Sequence, residues 1–279
     1  MGKWVKHQVP LSLSLSKATR GLKRPDMTIS PRIWKAALLV IGDEILSGRT
    51  QDKNIAQVAS WLGVQGIRLA EVRVVADDTA AIVEAVNALR ARNDYLFTTG
   101  GIGPTHDDIT VDAVAEALGV EVTIHPEARA ILERYYETRG GLNDARLRMA
   151  RVPAGAELIP NRMSGAPGIQ IGNVFLMAGV PSITAGMLDA LTGELEGGLL
   201  LLSQTVGSWA AESEVADLLR ETERTHEGCV IGSYPFFREG RVGANFVVRS
   251  VEAVQLGECC EALITGLRAL GREAVPGGI

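Results

Sequence analysis

Tyr95-Leu96-Phe97-Thr98-Thr99-Gly100-Gly101-Ile102-Gly103-Pro104-Thr105-His106-Asp107-Asp108-Ile109-Thr110 is the stretch on which the fold turns. Tyr95 to Thr98 reads as a short strand. A glycine loop ends it, and Val111, Val114, Ala115 and Leu118 then fall at helical spacing. In a parallel α/β sheet, a loop between a strand's carboxyl end and the next helix lines the ligand crevice. Free backbone N–H groups and the helix dipole suit that place to anions. Gly100, Gly101 and Gly103 permit close backbone approach and positive φ, and Thr98, Thr99 and Thr105 offer hydroxyls to phosphate oxygens. On spacing alone G-G-x-G is a weak signal, because neither the G-x-G-x-x-G nor the Walker pattern is present. Asp107 and Asp108 have two readings: helix caps, or oxygen ligands for a hard cation beside phosphate.

Upstream the same strand-then-helix unit recurs. Ala36 to Ile41 is a continuous apolar run closed by Gly42-Asp43-Glu44, the pattern of a strand buried on both faces. Ile55, Val58, Ala59 and Leu62 stripe a helix; Val72 to Val75 is a strand; Asp77-Asp78-Thr79 offers N-caps to a helix carrying Ile82, Val86 and Leu89. Downstream come strand Val122 to Ile124 and helical segments over 126–139 and 143–151. A Gly- and Pro-rich tract over 154–172 reads as a long loop or weak hairpin, followed by strand Val174 to Ala178 and a helix from Pro181 to about Leu191. Alternating β and α elements predict an α/β fold, three layers with a mostly parallel sheet. Asp43 and Glu44 then share a sheet edge with the glycine loop. From Leu199 the order becomes strand, helix, strand, strand, helix, which predicts a small C-terminal α+β module with no catalytic motif. The expected division is a tail over 1–33, an α/β domain over 34–195 and an α+β domain over 199–279.

Composition limits the function classes. With 46% hydrophobic and 22% charged residues in 279, the chain is globular and has room for two cores. No apolar run approaches the ~20 residues of a membrane span. The 28 basic against 33 acidic residues, net charge −5, oppose nucleic-acid coating, although a local basic groove stays open. Cys229, Cys259 and Cys260 lack metal spacing and read as reduced thiols of a cytoplasmic protein. The first 25 residues carry six basic and no acidic residues, which reads as a disordered tail; Met27 is an alternative start. The histidines show no ligand spacing, and only His106, inside the loop, is expected to touch ligand. Ser47 and Ser182 lack a triad setting. Trp34, Trp61 and Trp209 read as core or interface residues.

Two motifs together carry a resemblance. Val40 to Gly48 with Asp52 and Asn54, and Thr98 to Thr110, resemble the molybdopterin-binding-domain family, and within it the N-terminal domain of competence/damage-inducible protein A and its short relatives. The resemblance spans roughly 34–191. It implies the three-layer fold, a ligand pocket at the glycine loop, and metal-dependent hydrolysis of ADP-ribose- or FAD-like pyrophosphates with Mg2+. Other branches bind or adenylylate molybdopterin, and a non-catalytic nucleotide-binding or assembly module is the third reading. Carried over by motif, Thr99 to Gly103 cradle phosphates, Asp108 with Asp107 is catalytic, Asp43, Glu44 and Asp108 hold the cation, and Arg146 and Arg148 reach anionic groups. The implied partner is a nucleotide-like or pterin-like small molecule. The C-terminal module shares its element order with small RNA-binding folds but lacks a G-x-x-G-type loop with flanking basic residues, so a structural or dimerising role within a homo-oligomer is expected and nucleic acid is not an expected partner. One departure stands out: where many relatives have Pro-Gly-Pro-Pro-Ser-Glu after the late strand, this chain has Ala178-Gly179-Val180-Pro181-Ser182-Ile183.

Overall fold

The computed structural model describes residues 32–161 and 163–279. Of the expected tail, residues 1–31 lie outside the described residues; Arg32 forms an ion pair with Asp94 and lies over the Trp34 ring at 4.2 Å.

The α/β part runs β1 (Trp34–Ile41), α1 (Asp43–Leu46), α2 (Asn54–Val64), β2 (Ile67–Val75), α3 (Thr79–Arg90), β3 (Tyr95–Thr99), α4 (Thr110–Leu118), β4 (Val122–Ile124) and α5 (Pro126–Tyr136). There follow α6 (Asp144–Leu147), a 3-10 turn (Arg148–Ala150), β5 (Arg151–Pro153), β6 (Glu157–Ile159), β7 (Gly168–Ile171), β8 (Val174–Met177) and α7 (Pro181–Ala190). Six strands form one sheet in the order β2-β1-β3-β8-β7-β6. β2, β1, β3 and β8 pair in parallel, while β7 runs against both β8 and β6. The mostly parallel sheet expected from sequence is present. The tract over 154–172, expected as a loop or weak hairpin, forms the hairpin and adds two strands to the sheet edge.

Alternation along β1 makes the three layers. Ala37, Leu39 and Ile41 enter one core with Ile82, Val86 and Leu89 of α3 and Val114 of α4. Ala36, Leu38 and Val40 enter the other with Val58 and Leu62 of α2 and Met187 and Leu188 of α7. A strand buried on both faces needs apolar residues at both parities, and this is why Ala36 to Ile41 shows no polar break. In the second core Phe97 and Phe175 stack at 4.9 Å between ring centroids. Truncating either ring to alanine should cost about 3–5 kcal/mol.

Residues 202–276 form a second, antiparallel sheet. Its elements are β9 (Leu202–Ser208), α8 (Glu212–Thr225), β10 (Cys229–Arg238), β11 (Arg241–Ser250), α9 (Ala253–Ala269) and β12 (Val275–Pro276), with strand order β10-β11-β9-β12. The two-residue β12 is too short to show periodicity in sequence. Phe246 and Val248 of β11 pack with Leu263 and Leu267 of α9 and with Cys229, Cys259 and Cys260 in a core of their own. The three thiols are unpaired and buried, and burial with Cys229 close by pushes the Cys259 thiol up to about 12. Among the described residues no helix is long and apolar enough to cross a membrane.

Candidate functional site

Parallel pairing brings the carboxyl ends of β2, β1, β3 and β8 to one edge, with Ile41 opposite Val75 and Thr99 opposite both Val40 and Met177. The chain leaves β1 toward β2 on one side and reaches β3 on the other, so the crevice opens between the loops after β1 and β3. There the backbones nearly touch. Gly100, at φ 102°, places its missing Cβ 2.1 Å from the Ile41 carbonyl oxygen, and Gly101, at φ 67°, places its own 2.2 Å from Thr110 Oγ1. Any side chain at either position would clash and would also adopt a disfavoured backbone conformation.

The loop is stapled from below by Thr110. Its Oγ1 donates to the Gly100 carbonyl at 2.9 Å, and its backbone N–H donates to the Gly101 carbonyl at 3.0 Å. From above, Asp108 closes the turn: Oδ2 accepts from the Thr105 N–H at 2.7 Å and from the Thr105 hydroxyl. A third support comes from the turn after β8. Asn54, buried at the start of α2, donates to the Gly179 carbonyl at 2.8 Å, and Thr184 Oγ1 donates to the Ala178 carbonyl at 2.6 Å. Gly179 in turn lies against Gly100. These supports fix the loop's shape before any ligand arrives.

The cleft so formed has a volume of about 620 Å³. One wall is Gly100 to Pro104 with Asp107 and Asp108; a second is Gly42, Glu44 and Asp77; a third is Gly179 to Pro181 with Ile183. Its far end is apolar, with Tyr136, Met149, Ala166 and Met187. α7 begins on the third wall without a side-chain cap, so its positive dipole end faces the cleft.

Asp77 is the carboxylate that sequence reasoning passed over as a helix cap. Asp78 does that work, accepting from the Ala81 N–H at 2.8 Å. Asp77 turns instead to the cleft and accepts from the Asp43 N–H at 2.9 Å. Burial raises its pKa above the ordinary aspartate value, and the charges of Asp43, Glu44 and Asp107 push it in the same direction against that hydrogen bond. Asp107 is shifted the other way, held below its ordinary value chiefly by the Thr105 hydroxyl. A hydroxyl has one proton to donate; the geometry commits it to Asp108, and Asp107 lies within its influence. A signal for Asp77 does exist in the sequence: in a parallel sheet, the first residues after a strand beside β1 must share the edge with Asp43.

The remaining expected residues divide. Asp43, Glu44, Asp107 and the glycines gather at the cleft. Thr98 and Thr99 are fully buried in the sheet with hydroxyls that find no partner, and neither lines the cleft, so the phosphate-facing groups of this segment are backbone. Thr105 serves Asp108. Arg146 bonds to the Gly141 carbonyl and lies over the Tyr136 ring at 4.2 Å; Arg148 reaches the Asp108 carbonyl at 3.4 Å and leaves its buried Nε without a partner. Both arginines buttress the cleft's surroundings rather than line it. His106 is exposed and outside the lining. Among the described residues no three His, Cys, Asp or Glu side chains are grouped closely enough to hold a metal ion unaided.

Comparison with known proteins agrees with this geometry. Residues 37–196 match the family model described as "Probable molybdopterin binding domain", and residues 200–272 match "FAD synthase, middle domain". A CinA-like protein of Citrifermentans bemidjiense is 39% identical over 195 residues, covering 66% of this chain; the chain spans about half (47%) of that relative's length. A protein of Aeropyrum pernix is 34% identical over 215 residues, 74% of this chain and 79% of its own. The crystal structure of CinA from Thermoplasma acidophilum, a protein of unknown function, superposes with a TM-score of 0.55 at 31% identity, covering 58% of this chain and 98% of its own. Family model, relatives and fold agree, and the chain belongs to the molybdopterin-binding-domain family, in the neighbourhood of the CinA-like proteins.

Proposed function

We propose that the chain is a divalent-cation-dependent pyrophosphatase that cleaves an ADP-ribose- or FAD-like dinucleotide in this cleft. The observation that carries the reading is the facing of two walls: free backbone amides and an uncapped helix start on one side, and the carboxylates of Glu44 and Asp77, with Asp43 beside them, on the other. Amides favour phosphate. Crowded carboxylates repel phosphate unless a cation stands between them; the upward shift of Asp77 comes first from burial, and repulsion from Asp43, Glu44 and Asp107 adds to it.

The residues fit a magnesium ion in a particular way. Mg2+ is ordinarily held by one or two carboxylates together with substrate phosphates and water, so an unaided three-ligand cage is not required. Glu44 lines the cleft, with Asp43 beside it, and the two would supply those carboxylates; Asp108, tied to Thr105, keeps Oδ1 for the same purpose. Bound there, the ion would neutralise phosphate charge and stabilise charge developing on the leaving group. The glycine loop would orient the pyrophosphate by backbone N–H groups that Thr110 and Asp108 hold in place. Asp77 keeps Oδ1 uncommitted and is placed to accept the proton of an attacking water. The apolar end at Tyr136 and Met149 would take a base or ring. The match of residues 200–272 to a segment of FAD synthase supports flavin dinucleotides as members of the substrate panel.

Incubation with Mg2+ and a dinucleotide panel, following AMP release, tests the reading. Release that EDTA abolishes is the expected result. The family's description and the apolar lining at Tyr136 and Met149 favour a second reading, a binder or adenylylating enzyme of molybdopterin. No AMP from any dinucleotide, together with tight pterin binding, would replace the first reading by the second.

A further inference from the structure

The antiparallel sheet has two faces and the helices cover one. Ala244, Phe246 and Val248 of β11 point into the core with α9, so Gly243, Asn245, Val247 and Arg249 lie on the other face. Cross-strand register puts Gly232, Tyr234, Phe236 and Arg238 of β10 on that same outer face, opposite Val247, Asn245, Gly243 and Arg241. The rings lie low on the sheet because their neighbours are glycines. A Cβ on Gly243 would meet the Phe236 ring at 2.5 Å, and one on Gly232 would meet the Tyr234 ring at 3.1 Å.

Arginines surround these rings. Arg238 sits 4.9 Å from the Phe236 centroid, Arg241 sits 4.4 Å from that of Trp209, and Trp209 meets Phe236 edge-on at 5.3 Å. Arg249 donates to the Tyr234 hydroxyl at 2.5 Å, with its guanidinium 5.8 Å from the ring centroid. Among the described residues none of the three is ion-paired with a carboxylate, and the only acidic residue from Cys229 to Ser250 is Glu239 at the hairpin turn. Tyr234 remains 48% exposed. On the β9 side of the face Ile279 N–H donates to Asn245 Oδ1 and packs at Gly207. A platform is left along β10 and β11, with Tyr234 and Phe236 of β10, Trp209 just after β9, and three arginines free of carboxylate partners.

We propose that this platform binds a single-stranded polynucleotide, with bases stacking on Tyr234 and Phe236 and phosphates on Arg238, Arg241 and Arg249. Guanidiniums free of carboxylate partners on a chain of net charge −5 mark a local anion surface, and the exposed Tyr234 ring, with Phe236 half-buried beneath Arg238 beside it, provides stacking that tolerates any base. The whole-chain charge excludes coating, not this face. Tyr234 and Phe236 are two residues apart on one strand, roughly 6.8 Å. That is about twice the ~3.4 Å rise per nucleotide of a stacked strand, so the bases must be splayed, as a single strand allows and a duplex does not.

Fluorescence anisotropy of the full chain with fluorescein-labelled 12-mers of uridylate and of thymidylate tests the proposal. Binding of either is expected at 50 mM salt. Three phosphate contacts on a single strand predict a slope of about −2 for log affinity against log salt, a roughly 20-fold loss by 200 mM. Arg238→Ala, Arg241→Ala and Arg249→Ala together should weaken binding at least tenfold and flatten the slope. Tyr234→Leu with Phe236→Leu should weaken it with the slope unchanged. If the triple variant loses its far-ultraviolet dichroism, single Arg→Ala variants carry the test, each removing about one third of the slope. The proposal is overturned by failure of both 12-mers to bind, by binding that neither set of changes alters, by equal affinity for a duplex, or by displacement with excess AMP, which would place the oligonucleotide in the glycine-loop cleft. Poly-glutamate bound with the same arginine dependence would overturn it too, in favour of an acidic protein partner.

Discussion

Asp77 accepts a hydrogen bond from the backbone N–H of Asp43 at 2.9 Å, joining the loops that follow β2 and β1 at the cleft wall. Its carboxyl is shifted upward, first by burial and then by repulsion from Asp43, Glu44 and Asp107. An aspartate whose folded pKa lies above its unfolded one contributes stability in its protonated form, and that contribution is lost as pH rises through the folded value. At pH 7 the charged Asp77 therefore costs stability. Asp77→Asn, whose side-chain oxygen can still accept from Asp43, should raise the melting temperature of metal-free protein at pH 7. The gain should fade as pH falls from above the ordinary aspartate range down through it. Turnover should fall at the same time. Equal destabilisation at pH 7 and below the aspartate range would refute the account.

Gly100→Ala tests the close approach of β1 and β3. The new methyl group would meet the Ile41 backbone oxygen, which cannot swing aside as a side chain could, and φ of 102° is unfavourable for alanine. The expected loss is about 2–4 kcal/mol, or roughly 4–16 °C in melting temperature. A melting temperature within a degree of wild type would show that the two loops are not in contact.

These two positions also show what the sequence could and could not reveal. The apolar run Ala36 to Ile41 and the helical stripes made the parallel sheet readable, because burial on two faces demands an unbroken pattern. Thr98 and Thr99 misled for the converse reason: they are polar in type yet sit at the last two positions of a doubly buried strand, where no pattern marks them as interior. The hairpin of β6 and β7 is short and set in a Gly- and Pro-rich tract, so its alternation has only three or four residues in which to appear. Asp77 and Asp78 are adjacent and chemically identical. Only the three-dimensional path of β2 assigns one to the helix and the other to the cleft.

Asp108→Asn separates loop shape from chemistry. Its Oδ2 closes the 105–108 turn, so the change should cost about 0.5–2 kcal/mol, as for loss of a cap. With Oδ1 kept for the cation, the change should collapse kcat at near-constant KM. A rise in KM with kcat unchanged would show that Asp108 acts only through the loop.

Asp43 and Glu44 decide between hydrolysis and binding. In a pyrophosphatase the carboxylates that hold the cation matter most when the bridging oxygen gains negative charge, which happens in the transition state and not in the bound substrate. The pair Asp43→Asn, Glu44→Gln should therefore cut kcat by about a hundredfold or more, on the scale of losing a preorganised charge stabiliser at roughly 2–4 kcal/mol, and alter nucleotide affinity only modestly. The substitutions retain size and leave the Asp43 N–H to Asp77, so the wall's shape should survive. A binding protein has no such asymmetry. Removing two negative charges from its cleft would, if anything, tighten an anionic ligand, because less repulsion opposes the phosphate. Kd for ADP-ribose measured by calorimetry beside kcat for AMP release thus gives opposite signatures: a large loss of rate at near-constant Kd for the hydrolase, and a lower Kd with no metal-dependent turnover to lose for the binder.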